Sequence, residues 1–430
     1  MPSGPHGLPR KPGRLRRLLG LLGPGVVTGA SDDDPSGIGT YSAAGASLGY
    51  ATLWTALLTF PLMTAVQYMC AKVGMVTGEG LAGVLRRHYP RWVLYPAVAA
   101  LVVANTLNAG ADIGAIAAGI NLLVPISQKW LVFPVGVTIL VIQVWGSYRL
   151  IANVFKWLCL ALFAYIGAAF LSRPDWGEVA EGTFLPEIHL DSAYLVTLVA
   201  ILGTTISPYL FFWQSSQEVE EEKALGRRWL WQRLGATDRE LRYAWWDVAI
   251  GMFFSNVVMY FIILATASTL HRAGQTDIAD AAQAAEALRP LAGAAATGRL
   301  ARGLIGTGLL AVPILTTSGA YAVCEAFGWP SGLDERPGKA PQFYGIIAAS
   351  TAAGILFNYA GVNPISALFW TAVLNGFLAP PLLVVLMLVA GNRAIMGRRV
   401  NGLTLSVVGW ITTALMFAAA AGLVFTWGRS

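Results

Sequence analysis

A chain of 430 residues that is 56% hydrophobic and only 12% charged, with a mean hydropathy of +0.59, lies outside the composition of soluble globular proteins. Its formal net charge of +6 would suggest nucleic acid as the partner of a soluble protein. Here Lys and Arg cluster between apolar stretches, which makes anionic lipid their counterpart and leaves no role for nucleic acid, so the composition predicts an all-α integral membrane protein.

Residues 1–18, rich in Pro, Gly and Arg, are expected to form a retained cytoplasmic segment, because the apolar stretch after them runs into acids without a small-residue cleavage site. A helix needs about 20 mostly apolar residues to cross the hydrocarbon core, and about eleven such spans follow. They begin near Leu19, Tyr50, Trp92, Trp130, Ile151, Ala193, Trp245, Leu304, Phe343, Ile365 and Thr404, and are numbered here in that order. An odd number puts the termini on opposite sides, and the positive-inside bias then places the N-terminus in the cytoplasm of a multi-pass plasma-membrane protein. The cytoplasmic set contains Arg14, Arg16 and Arg17, then Arg86, Arg87 and Arg91, then Arg227, Arg228 and Arg233, and finally Arg393, Arg398 and Arg399. The loop from Arg173 to Asp191 carries Asp175, Glu178, Glu181 and Glu187 and would face outward, as a solvated loop or a weak funnel for cations. The longer connection from Leu270 to Ala301 is Ala-rich and reads as a short surface helix. Cys70, Cys159 and Cys324 stand alone in apolar stretches and read as packing residues.

Span 1 runs GPGVVTGASDDDPSGIGTYSAAGAS, so three acids, a proline and several glycines interrupt an apolar helix. Each aspartate at the bilayer centre costs about 2.5–3.5 kcal/mol, so Asp32, Asp33 and Asp34 together would cost about 8–10 kcal/mol if they faced lipid. Pro35 removes a backbone donor and disfavours helical geometry at Asp34, while Gly37 and Gly39 permit unwinding, which predicts a break into two half-helices. Irregular backbone at that depth survives only inside protein or beside a water-filled cavity. Span 6, LVTLVAILGTTISPYLFFWQSSQ, has a second break at Gly203, Thr204, Thr205, Ser207 and Pro208.

Asp34–Pro35 and Ser207–Pro208 occupy corresponding places in two runs of five spans, the signature of an inverted-repeat transporter with its substrate between the broken helices. The expected fold is therefore of the LeuT type, a 5+5 inverted repeat with residues 19–172 as the first repeat and 173–392 as the second. Residues 393–430 supply the last helix and C-terminus. Unwound carbonyls and half-helix C-termini carry negative partial charge, so with a carboxylate they suit a cation.

At these residues the sequence resembles the Nramp family of divalent-metal transporters, from the Gly-Pro-Gly opening of span 1 through span 10. The family motif Asp-Pro-Gly-Asn stands here as Asp34, Pro35, Ser36, Gly37, and Ala-x-x-Met-Pro-His as Thr204, Thr205, Ile206, Ser207, Pro208, Tyr209. The resemblance implies that the Asp34 carboxylate and the Thr204 carbonyl face the metal, with Gly37 in place of the asparagine and Ser207 in place of the methionine. A thioether is a soft ligand that favours transition metals, and without it the donors left are hard oxygens, with room for water at Gly37. Mg²⁺ keeps several waters and takes one or two carboxylates, so the expected substrate is Mg²⁺, with Mn²⁺ second, as in the Nramp-related magnesium transporters. The metal is the substrate, no cofactor is expected, and a monomer suffices.

The family's histidine in span 6 is Tyr209, and His6, His88, His189 and His271 fall outside the spans or at their ends, so a histidine proton relay is absent. Asp112 in span 3 stands near acids implicated in proton movement in the family; it is either functional or clamped by Asn105 and Asn108. Uncoupled, gradient-driven uptake is the expectation. Gln214, Ser215 and Gln217, with Glu218, Glu220, Glu221 and Glu222, line an inner exit or form a solvated helix end, the plainer reading. Asn375 in span 10 stands near a polar ion-facing position of the family, or else bonds between helices. Asp32 and Asp33 are candidates for the pathway, one or both facing the outer cavity as a second, hydrated ion site, rather than for direct ligands of the first.

Three rival readings stand against this one. A conventional proton-coupled Mn²⁺/Fe²⁺ symporter is the alternative within the family, opposed by the missing Met and His. An amino-acid carrier of the same fold would have its substrate carboxylate repelled by the aspartates. An intramembrane prenyl-transfer enzyme needs a second acidic cluster, and the spans offer only Asp112 and Asp247 beside the EVEEE run, so no enzymatic activity is expected.

Overall fold

The computed structural model describes residues 23–145, 164–278, 283–284, 296–333 and 335–426. The beginnings of spans 1 and 5, Arg14, Arg16, Arg17, His6, Cys159, and residues 279–282 and 285–295 of the 270–301 connection lie outside the described residues. Every regular element among the described residues is helical. Span 1 is α1 (Pro24–Asp32) followed by α2 (Pro35–Leu48); span 2 is α3 (Trp54–Thr77), and a short α4 (Leu81–His88) leads into span 3, α5 (Arg91–Leu123). Span 4 is α6 (Gln128–Trp145), the described end of span 5 is α7 (Ala164–Leu171), and α8 (Trp176–Phe184) forms within the acidic loop. Span 6 is α9 (Ser192–Thr205) and α10 (Pro208–Ala224). Spans 7 to 11 are α11 (Asp238–Thr269), α12 (Ala296–Phe327), α13 (Pro341–Asn358), α14 (Pro364–Ala390) and α15 (Leu403–Thr426).

Eight of these helices, with α9 and α10 taken as one, are long and apolar enough to cross a membrane. The remaining expected spans fall short for visible reasons. Span 1 is cut in two, span 5 is described only at its end, and α13 is 18 residues long with Gln342 and Asn358 at its ends. Span 6 is 89% buried over its most apolar stretch whereas α6 is 28% buried, so span 6 runs through the centre of the bundle and α6 borders lipid. Trp92, Trp130, Trp145, Trp229 and Trp246 stand exposed near helix ends, where indoles settle at the membrane interface.

Proline position separates the two broken helices from kinked ones. Pro35 and Pro208 are the first residues of α2 and α10, where the missing N–H costs nothing, whereas Pro61, Pro96, Pro134 and Pro313 lie inside continuous helices. The packing is reciprocal: span 1 runs along α11 while α10 runs along α3, and the most extensive contact is between α5 and α12. Span 1 can lie so close to α11 because Gly25 and Gly29, spaced four apart, meet Gly251; a Cβ at Gly29 would fall on the Gly251 backbone and one at Gly251 on that of Gly25.

The basic segments gather at one end of the bundle. Arg399 pairs with Asp238 and donates to the Ala236 carbonyl at 3.1 Å, and Arg227 bonds Glu240 at 2.6 Å and Glu222 at 3.3 Å. Arg233 donates to the carbonyls of Gly78, Arg227 and Arg228. These contacts fasten the segment after α10 to the end of α3 and to the turn before α15.

Candidate metal site

The two breaks place helix ends, rather than a cage of side chains, around a buried space. α1 stops at Asp32, with Asp33 (φ −84°, ψ 48°) after its last turn and Asp34 extended (φ −69°, ψ 171°) before α2. α9 stops at Thr205, with Ile206 and Ser207 between it and α10. The C-terminal carbonyls of α1 and α9 thus lose their helical partners at membrane depth, and their negative partial charge is turned into the protein.

Asp34 holds its geometry through its own helix. Its Oδ1 accepts from the Gly37 N–H at 2.6 Å as the N-cap of α2, which leaves Oδ2 outside that bond. The room expected beside Gly37 is filled: a Cβ there would lie 3.2 Å from the Asp32 carbonyl oxygen and 3.3 Å from the Tyr41 ring. Gly37 therefore serves the carboxylate through its N–H. In the second break the Ser207 hydroxyl donates to the Thr204 carbonyl at 2.6 Å and to that of Gly203 at 3.0 Å, so two expected ligands are already joined. Each oxygen keeps a lone pair outside this bond. Tyr209 spans the two breaks by donating to the Ser31 carbonyl at 2.9 Å, while its own carbonyl accepts from Ser318 of α12 at 2.7 Å. Asp34, Thr204, Ser207 and Tyr209 are at most 2% exposed, so the space is closed to both sides.

Asp112, fully buried on α5, lies within electrostatic reach of Asp34 and faces the start of α2 at Ser36. The clamp by Asn105 and Asn108 is not formed. Asn105 donates instead to the Leu315 carbonyl at 2.9 Å, and Asp112 meets the backbone of Ser36 rather than either asparagine. Gln214 accepts from Thr28 and donates to Glu218 at 2.9 Å, which ties α1 to α10. The solvated helix end read from the EVEEE run is only half right: Glu218 and Glu222 are buried, while Glu221 is exposed. Asn375 is buried on α14 beside Ala372 and Gly376, against which Gly203 packs.

The roles of three residues were missed by sequence reasoning, two at the breaks and one at the start of α1. The Ser255 hydroxyl of α11 donates to Asp32 Oδ2 at 2.7 Å and faces Asp33 Oδ1 at 3.2 Å. Tyr41 lies alongside Thr204 and within electrostatic reach of Asp32, Asp33 and Asp34. Asp247 caps the start of α1, accepting from the Gly23 N–H at 2.9 Å and the Gly25 N–H at 2.6 Å. The polar pair Ser255–Asn256 within an apolar run was the signal available for the first of these.

Two cavities open at opposite ends of the bundle, and neither reaches the breaks. The one at the basic end, about 900 Å³, is lined by Glu79, Arg86, Arg87, Arg233 and Glu325 among others. The other, about 670 Å³, is lined by Tyr50, Asp175, Glu178, Glu181, Glu187 and His271 among others, so the acidic loop does border a hollow. Among the described residues no three His, Cys, Asp or Glu side chains gather as a metal-binding group, so any ion held here keeps carbonyl, hydroxyl or water oxygens as well.

The fold is shared with known transporters. The chain superposes on the manganese transporter of Eremococcus coleocola with a TM-score of 0.71 at 20% identity, covering 97% of this chain and 88% of that one. It superposes on Mhp1 in its inward-facing conformation with a TM-score of 0.55 at 13% identity, covering 94% and 90%. A closed form of Mhp1, a nucleobase-cation-symport-1 family transporter, matches with a TM-score of 0.51 at 14% identity, covering 94% and 91%. These likenesses establish the LeuT-type fold with its broken first and sixth helices. Residues 25–426 match the family model described as Natural resistance-associated macrophage protein-like. With nearly the whole chain inside that match, the protein belongs to the Nramp family and is a divalent-metal transporter of the Nramp type rather than an enzyme.

Proposed function

We propose that the chain carries Mg²⁺, with Mn²⁺ as a second substrate, across the plasma membrane by alternating access and without obligatory proton coupling. The observation that carries this reading is the donor set at the breaks. Oxygen alone is offered there, by the Asp34 carboxylate, the Thr204 carbonyl and the Ser207 hydroxyl, and the side chains standing in place of Met and His are committed to backbone carbonyls. A single carboxylate among neutral oxygens suits an ion that retains part of its hydration shell. In this reading the basic end of the bundle faces the cytoplasm. The repeats run over 19–172 and 173–392, and one chain is the working unit. Mn²⁺ is the substrate named for the Eremococcus coleocola relative, and its tolerance of oxygen ligands admits it here as well.

One observation favours the rival, a proton-coupled Mn²⁺/Fe²⁺ symporter: Asp112 is buried beside Asp34 with no basic side chain paired to it among the described residues, as a proton-carrying group would be. The two readings part at Ser207. Ser207→Met restores a soft ligand, and the preference for Mn²⁺ over Mg²⁺ in competitive proteoliposome uptake is expected to rise about tenfold. An unchanged ratio would mean that residue 207 does not face the ion.

A further inference from the structure

We propose that Asp32 and Asp33, held by Ser255, form a second position for a hard divalent cation beside the one at Asp34. The inference rests on the reading of the breaks as the ion's place, and it is carried by geometry that this reading leaves unexplained. Asp32 ends α1 and Asp33 follows outside regular helix, so both carboxylates leave the helix at the same point. One hydroxyl, that of Ser255 on α11, contacts both, at 2.7 Å to Asp32 Oδ2 and 3.2 Å to Asp33 Oδ1. Two carboxylates are thereby brought to a common donor, the arrangement in which a shared cation offsets their repulsion.

Asp32 is 0% and Asp33 4% exposed, and no Lys, Arg or His forms an ion pair with either among the described residues. Adding Asp34 and Asp112 gives four buried acids with no basic side chain paired to them. One divalent ion at Asp34 would balance half of the charge that these four acids carry when ionised. Asp32 Oδ1 is buried without a hydrogen-bond partner. The Tyr41 hydroxyl points the same way, fully buried beside Thr204 and within electrostatic reach of all three aspartates. Water held by a hydrated cation would reach both atoms, since Mg²⁺ and Mn²⁺ keep waters and contact few carboxylates directly.

Counting Mn²⁺ on the full chain in detergent tests this, with free Mn²⁺ read from its paramagnetic resonance signal. Two ions per chain are expected, falling to one in Asp32→Asn and in Asp33→Asn. One ion or none on the native chain would overturn the proposal, as would two ions that persist in both variants. Should those variants fail to fold, Ser255→Ala removes only a hydroxyl and is expected to weaken the second Mn²⁺ about tenfold. Unchanged binding of both ions in Ser255→Ala would count against the site. Asp34→Asn separates this inference from the reading it rests on. One ion remaining at Asp32 and Asp33 supports both, whereas two ions remaining would remove Asp34 from the transport site and leave the second position standing.

Discussion

Replacing Asp34 by Asn is expected to lower divalent-cation uptake by about 100-fold or more while leaving the thermal stability of the protein nearly unchanged. The substitution separates two roles that one carboxylate fills. As the N-cap of α2, Asp34 accepts from the Gly37 N–H at 2.6 Å, and an amide oxygen caps a helix about as well as a carboxylate. The break therefore keeps its shape. As the charged donor at the junction of the half-helices, however, an amide leaves a divalent ion only partial charges. A buried carboxylate–cation contact contributes about 3 kcal/mol or more even with an effective dielectric constant near 20, which is roughly a factor of 100. Uptake into proteoliposomes and thermal unfolding in detergent, measured on the same preparation, check both halves. Loss of uptake accompanied by a large loss of stability would show that the cap, not the charge, was removed.

A large effect on stability is expected at Gly29. A methyl there meets the Gly251 backbone, which cannot swing aside as a side chain would, so Gly29→Ala should destabilise by about 2–3 kcal/mol. Separation of α1 from α11 would also loosen the hydrogen bonds from Gly23 and Gly25 to Asp247. Gly345→Ala is the control. Nothing lies within 4 Å of a Cβ at that position inside α13, so helix propensity alone should act, stabilising by up to about 1 kcal/mol. Trp fluorescence during thermal unfolding distinguishes the two, and equal midpoints would contradict the close approach of span 1 to α11.

Much of the architecture was legible because membrane energetics are strict. Three adjacent aspartates within an apolar span leave only one interpretation of their environment, and Asp34–Pro35 together with Ser207–Pro208 gave both breaks at their observed positions. The family resemblance named Asp34, Thr204, Ser207 and Tyr209 as residues of the two breaks, where they are found. What could not be read was which residues from other helices arrive at the breaks and at the start of α1. Ser255 and Asp247 lie more than 200 positions from the residues they hold, and nothing in their local pattern fixes the face they present. The Gly25–Gly29 spacing was visible in the sequence, but its partner Gly251 becomes evident only once α1 and α11 are packed. Local chemistry misled in two places. For Asp112 a clamp by Asn105 and Asn108, its neighbours along α5, was one of two open readings, and Asn105 turns to α12 instead. Glu218 was grouped with its charged neighbours, yet helix periodicity carries it inward onto Gln214.

The most direct test of the central claim is uptake by the native chain in proteoliposomes that contain a pH-sensitive dye, with Mg²⁺ and Mn²⁺ supplied at equal concentration outside. The account predicts entry of both ions, Mg²⁺ included, with no change of internal pH beyond that of protein-free vesicles. Exclusion of Mg²⁺, together with internal acidification as Mn²⁺ enters, would contradict it and return Asp112 to the role of a proton carrier.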